Sequence, residues 1–250
     1  MATLRYTTEE LIESLKRTRF KTIVVEGGDD IEILRDIESK LSLHCGSVNF
    51  VHAGDKTSVL RIWEEKESFP HETIGFLADS DLWLFNSERK NYPKVVFTHG
   101  YSIENVCIQS PSVTDFAGAR IPTQTSWTAA IVSLIDWFSA EAAFHLDGQN
   151  PIFNVGVGQI FDCNAGFALT QMSKDRIAAA PPLYFAYIRN IVITDPLRFI
   201  RGKQLFLALA EVLNKHDGDR PSLKTLKRMG SRTANPAIDA LVVELANSFY

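Results

Sequence analysis

Cysteine is scarce in this chain: Cys45, Cys107 and Cys163 are its only three, far apart and in no Cys-x-x-Cys pair. That argues against a disulfide framework or a zinc ribbon, suits a reducing cytoplasm, and reads most simply as buried structural thiols. Long apolar runs are missing too. No uninterrupted stretch approaches the ~20 residues that cross a bilayer, and the N-terminus lacks the basic-then-apolar layout of a signal peptide. A cytoplasmic protein with no membrane partner is expected. His44, His52 and His71 show no ligand spacing, and internal repeats and low-complexity tails are absent. No Gly-Lys-Ser/Thr follows Val155-Gly-Val-Gly158, so that run is not a phosphate loop.

What is present fits a compact globular chain: 250 residues, 45% hydrophobic and 22% charged. The net charge of −4 hides an asymmetry. Residues 1–110 carry 13 Lys/Arg against 18 Asp/Glu, whereas 198–232 carry 9 against 3. An acidic front and a basic tail suit a metal site at one end and a polyanion contact at the other; a solvated helical surface is the plainer reading.

Periodicity places the elements. Thr7-Thr8-Glu9-Glu10 starts a helix that runs to about Arg19. Apolar, β-branched runs at Lys21–Glu26, Ser47–His52, Thr73–Ala78 and Lys94–Thr98 read as strands. Between them, Asp29–Leu41 and Thr57–Glu67 carry apolar residues at helical spacing, Leu60 and Trp63 facing inward. A further helix starts near Ser102. This alternation predicts an α/β fold, a parallel sheet flanked by helices, over roughly 18–110. After Pro111 the composition shifts. Residues 111–197 read as a largely helical insert, with a buried helix at Ser126–His145, a loop or short hairpin at 147–166, and helices at Leu169–Ala179 and Leu183–Ile193. Residues 198–250 read as basic C-terminal helices packing back on the sheet domain. Three domains are thus expected: 1–110, 111–197 and 198–250.

The chemistry concentrates at two strand ends. Ile23-Val-Val-Glu-Gly-Gly-Asp-Asp30 delivers Glu26 where the chain meets two glycines, and Ile74–Ala78 ends in Asp79-Ser80-Asp81. Open α/β sheets build their sites at the C-terminal ends of strands. Asp79 and Asp81, two apart, would face one side of an extended chain. Clustered carboxylates repel one another unless a cation neutralises them, and a hard oxygen-ligated ion, Mg²⁺ or Mn²⁺, suits such a set. Two such ions, ~4 Å apart, could clamp both sides of an in-line phosphodiester displacement, with Glu26 as ligand or general acid/base.

Strand–Glu26-Gly27 followed by strand–Asp79-Ser80-Asp81 resembles the TOPRIM domain of topoisomerases, primases and OLD-type nucleases. The finer layout adds Ala53-Gly-Asp-Lys56, Tyr101-x-Ile-Glu-Asn105 and Arg201-Gly-Lys203-Gln. It is similar to the stand-alone TOPRIM effectors of PARIS-type anti-phage defence, which accompany ABC-type ATPases. The resemblance covers about 20–110, is thin at 198–215 and is absent between. It implies a Mg²⁺-dependent endonuclease, held inactive by its ATPase partner and released to cut nucleic acid, for this branch tRNA. It also implies roles for residues. Glu26, Asp79 and Asp81 would be catalytic metal ligands, Asp30 and Glu104 additional ligands, and Lys56 and Lys203 neutralisers of the scissile phosphate. No ATPase domain of the chain's own is visible in the sequence, so activation would come from elsewhere.

Each residue has a plainer reading. Asp30 and Glu104 could complement helix N-termini, and Asp79 and Asp81 could be turn or cap residues. Lysines are most often solvated. The basic 198–232 stretch, with Arg201, Lys224, Lys227 and Arg228, is the expected phosphate-backbone contact. The apolar insert is the expected surface for homodimerisation or ATPase docking. The alternative to a nuclease is a catalytically silent TOPRIM-like regulatory or binding subunit. A phosphatase of the Asp-x-Asp kind is disfavoured, because here that motif follows the third strand and is trailed by Leu82-Trp83.

Overall fold

The computed structural model describes residues 6–27, 31–70, 72–121, 125–218 and 220–249. The chain divides into two compact units, one of residues 1–99 with 235–250 and one of 100–234.

The first unit is a parallel α/β sheet. Helix α1 (Thr8–Leu15) opens with a capping box between Thr7 and Glu10. Then come β1 (Lys21–Val25), α2 (Ile31–Cys45), β2 (Val48–His52), α3 (Lys56–Glu64), β3 (Ile74–Ala78) and β4 (Val95–Phe97). All strand pairs are parallel, in the order β2-β1-β3-β4, with Ile23 opposite Phe50 on one side and Gly75 on the other. The five residues of β3 are all buried, as a central strand covered on both faces requires. On one face Val24, Phe76, Ala78, Val95 and Phe97 pack with Leu11, Ile12 and Leu15 of α1 and Val59, Leu60 and Ile62 of α3. Strand alternation turns Ile23, Leu77 and Val96 to the other face. Trp63, expected inward, is only half-buried.

The second unit is mainly helical. It begins with α4 (Ile103–Ile108), α5 (Pro111–Arg120) and α6 (Thr125–Leu146). Over 147–170 it forms α7 (Val157–Ile160) and a small antiparallel hairpin, β5 (Phe161–Asp162) with β6 (Ala168–Leu169). It ends with α8 (Gln171–Ala179), α9 (Pro182–Val192), α10 (Pro196–Phe199), α11 (Gly202–Asp217) and α12 (Leu223–Arg232). Helix α6 is its core: Trp137 and Phe138 are fully buried, and Glu141, also fully buried, is held in a bidentate pair with Arg176 of α8 at 2.8 and 2.6 Å. The broken apolar pattern of α6 hides that its 22 residues are apolar enough to cross a membrane, and 67% of its most apolar window is buried in this unit. Gly202 and Gly230 allow close packing on α4. A Cβ on Gly202 would sit 2.6 Å from that of Glu104, and one on Gly230 would collide with the Cys107 carbonyl.

Helix α13 (Pro236–Ala246) returns to the first unit, packing with α2, β3 and β4. Lys40 of α2 pairs with its Asp239, and His99 with its Glu244. The units therefore change over at 99/100 and 234/235 instead of 110 and 197. The reason is packing: α4 lies against α10, α11 and α12, so 100–110 leaves the sheet domain, and of the C-terminal helices only α13 returns to it. Cysteine departs from expectation as well, since Cys107 is buried but Cys45 and Cys163 are half-buried.

Candidate functional site

Connection order fixes where a ligand crevice falls in the first unit. From β1 the chain steps outward to β2, then crosses back over β1 to β3. The order reverses between β1 and β3, and in open sheets the crevice lies at the carboxyl ends of those two strands. Glu26 follows β1 and Asp79 follows β3. The Asp79 amide donates to Glu26 Oε1 at 2.7 Å, closing the gap between the strands. Beyond β2, Ala53 and Gly54 donate to the carbonyls of Val25 and Glu26, both at 2.8 Å, so the backbone of Glu26 is fixed from the other side.

Asp79 and Asp81 do not lie along an extended chain as the spacing suggested. Ser80 turns into the right-handed helical region and Asp81 adopts φ 46°, starting a 3₁₀ turn over Asp81–Phe85. Positive φ is uncommon outside glycine, and Asp is among the residues that tolerate it. The turn is held from the end of β4: buried Ser80 donates its amide to Thr98 Oγ1 (3.0 Å) and its hydroxyl to the Thr98 carbonyl (2.6 Å). Arg89 also reaches the Ser80 hydroxyl, at 3.3 Å.

Asp81 has a cation beside it. Lys56, the first residue of α3, donates to Asp81 Oδ2 at 2.5 Å and lies 4.9 Å from the centre of the Trp83 ring. Asp55 caps that helix through the Ser58 amide at 2.7 Å. Burial pushes the Glu26 carboxyl up to about 7. The Asp79 amide and the Lys56 charge pull it down, and Asp81 and Asp55 push it up again. A carboxyl with that value exchanges a proton near neutral pH, as general acid/base work requires.

Carboxylate oxygens at adjacent strand ends are suitable donors for Mg²⁺ or Mn²⁺. Among the described residues, however, no three of His, Cys, Asp and Glu are grouped so as to hold a metal. The fit is thus one of donor chemistry, and it requires Lys56 to leave Asp81 if that carboxylate is to take part. Asp30 lies outside the described residues.

The other assigned residues belong to the second unit, where several are engaged. Glu104 is buried and accepts from Lys227 at 3.0 Å, so an expected metal ligand and an expected phosphate contact form an ion pair with each other. Burial pushes the Glu104 carboxyl up, but the Lys227 charge and hydrogen bonds from Ser102 and Lys227 outweigh it, and the net shift is downward. Arg201 is held by the Phe153 carbonyl (2.9 Å) and Asn154 Oδ1 (2.8 Å), pinning the 147–166 loop. Lys203 and Lys224 are exposed and Arg228 half-buried, on α11 and α12. The motif around Asn105 meets the late segment: its side-chain amide donates to the carbonyls of Leu197 and Ile200 at 2.6 and 2.7 Å, and its oxygen caps the turn at Ser102.

Sequence reasoning passed over the aromatic residues bordering Asp81 and Lys56. Trp83 stacks on Tyr92 (5.5 Å between centroids, 11° between planes), and Trp63 meets Tyr92 edge-on at 5.2 Å. The available signal was Leu82-Trp83 directly after the Asp-x-Asp. No family model matches the chain, and no curated protein matches its sequence.

Proposed function

We propose that this chain is a TOPRIM-like, metal-dependent endonuclease. One observation carries the reading: Glu26 and Asp79 stand at the ends of adjacent parallel strands where the strand order reverses, tied by the 2.7 Å hydrogen bond between them. Glu26 and Asp79, joined by Asp81 when Lys56 releases it, would hold Mg²⁺ or Mn²⁺, which would supply charge to stabilise the phosphodiester oxygens in the transition state. Where the aspartates hold the ion without it, Glu26, with its carboxyl at about 7, would instead hold or release the proton that moves at the attacking or leaving oxygen. Lys56, once off Asp81, has an ammonium within the same crevice to direct at the phosphate. The setting as the toxic effector of an anti-phage defence system is supported by the motif resemblance. So are an ABC-type ATPase partner and a tRNA target; an active homodimer rests on the apolar composition of the 111–197 insert.

The Lys56–Asp81 pair favours one rival, a silent binding subunit, because an internal cation already neutralises one carboxylate. Induction in cells separates the two readings. Wild type and Glu26→Ala are expressed with and without the neighbouring ATPase and trigger, and total RNA and plasmid DNA are examined. Discrete small-RNA fragments from wild type only are expected. Toxicity unchanged by Glu26→Ala, with both nucleic acids intact, overturns the nuclease reading in favour of the binding subunit.

A further inference from the structure

Beside the carboxylates, the first unit carries three half-buried aromatic side chains from separate segments: Trp63 of α3, Trp83 of the 3₁₀ turn, and Tyr92. Their rings are in continuous contact, and Trp83 continues inward to buried Phe97 at 5.8 Å. An apolar edge of a core is ordinarily covered by apolar groups. Here the three rings pack inward on the core of the sheet, and two of them also have an ammonium group over the ring, Lys56 4.9 Å from that of Trp83 and Lys66 4.0 Å from that of Trp63. Arg89, Lys90 and Lys94 follow in the same segment, Lys90 and Lys94 exposed. The patch begins at Asp81 and Lys56, so it is continuous with the strand-end site.

We propose that Trp63, Trp83 and Tyr92 form a stacking platform for an unpaired nucleobase of the substrate. The inference rests on the nuclease reading and narrows it to single-stranded segments or loops. Aromatic faces bordered by cations are the composition that sequence-tolerant single-strand binding uses, rings for bases and lysines for the backbone. The two lysines now occupy the ring faces by cation–π attraction. Base stacking is the stronger of the two contacts, and a lysine stem is long enough to swing its ammonium from ring to phosphate. A base inside a duplex already has both faces covered by its neighbours, so the platform selects unpaired nucleotides.

Binding is measured by fluorescence anisotropy in EDTA, where nothing is cut. The probes are a labelled single-stranded 12-mer RNA of mixed sequence and the same strand in a duplex. Wild type is expected to favour the single strand and to show quenched tryptophan emission on binding. Trp63→Leu and Tyr92→Leu, which keep an apolar side chain and lose the π-face, should each weaken it roughly tenfold. Trp63→Phe should restore most of the affinity, and unchanged melting curves confirm that the variants fold. Leucine variants that bind as wild type does, or equal affinity for single strand and duplex, overturn the platform. The two readings fail separately. Ring-dependent single-strand binding with no cleavage in Mg²⁺ or Mn²⁺ supports the platform and removes the nuclease. Cleavage with no single-strand preference removes the platform and leaves the nuclease.

Discussion

Glu26 and Glu104 are two largely buried glutamates that the fold treats in opposite ways. Glu104, in the helical unit, has a lysine on its carboxylate and hydrogen bonds that draw its carboxyl below the usual range. Glu26, in the sheet unit, receives one backbone amide; its lysine points at the neighbouring Asp81, and its carboxyl rises to about 7. Burial raises both. What differs is the partner, and with it the kind of work each residue can do. A carboxylate with its own buried counter-ion is a structural tie. One left to titrate near neutrality stores a cost that a proton, a cation or a substrate can relieve.

The comparison breaks most severely if Glu104 loses its partner. Lys227→Met leaves a buried unpaired carboxylate and should cost about 3–5 kcal/mol, read as a lower urea midpoint at neutral pH. Because the Glu104 carboxyl is lowered, its contribution is present above the usual 4.5 and lost as pH falls through its folded value. The variant's deficit should therefore shrink on acidification. Glu26 carries the reverse sign. Its raised carboxyl stabilises the fold fully below 4.5, and that contribution is lost as pH rises through about 7. Glu26→Gln should gain on the order of 3 kcal/mol over wild type above about pH 8 and little in acid. A variant whose advantage is flat with pH would refute the assignment of that carboxyl.

A smaller effect sharpens the site itself. Lys56 competes with any cation for Asp81, so Lys56→Met should tighten Mg²⁺ binding by roughly tenfold at alkaline pH. Isothermal titration reads this directly, and weaker binding by the variant would mean that Lys56 supports the ion's site instead of occupying it.

The strand-end placement of Glu26 and Asp79 was legible because it depends on local patterns. β-branched runs such as Thr22–Val25 make strands, glycines make turns, and the strand–helix alternation forces parallel pairing. The parity argument for Asp79 and Asp81 failed for a reason that no local pattern carries. The turn at Ser80 is held by Thr98, which directly follows the next strand. Glu104 and Lys227 lie 123 residues apart, and nothing around either residue announces the other. Each was read by its own neighbourhood, one as a ligand and one as a phosphate contact, while packing of α4 on α12 made them partners. The aromatic patch was missed likewise, since Trp63, Trp83 and Tyr92 come from three segments that only the fold assembles.

The smallest perturbation tests whether charge or burial governs Glu26. Asp81 is one of the groups that raise its carboxyl, and Lys56, now engaged with Asp81, is one that lowers it. Asp81→Asn removes the like charge and leaves the ammonium uncompensated, and both changes act in the same direction. Asn also tolerates the positive φ at this position, so the turn should persist. The lost ion pair is partly exposed on the Asp81 side, which limits its stability cost to about 1 kcal/mol or less. The Glu26 carboxyl should therefore titrate clearly below 7 in a carboxyl-carbon NMR titration, with the melting temperature almost unmoved. If the midpoint stays where it is, desolvation sets the value without help from neighbouring charges, and Lys56 is a partner of Asp81 alone. If it falls, the charges of Asp81 and Lys56 together tune Glu26 beyond what burial alone sets, and the carboxylates and the ammonium act as one electrostatic unit before any metal arrives.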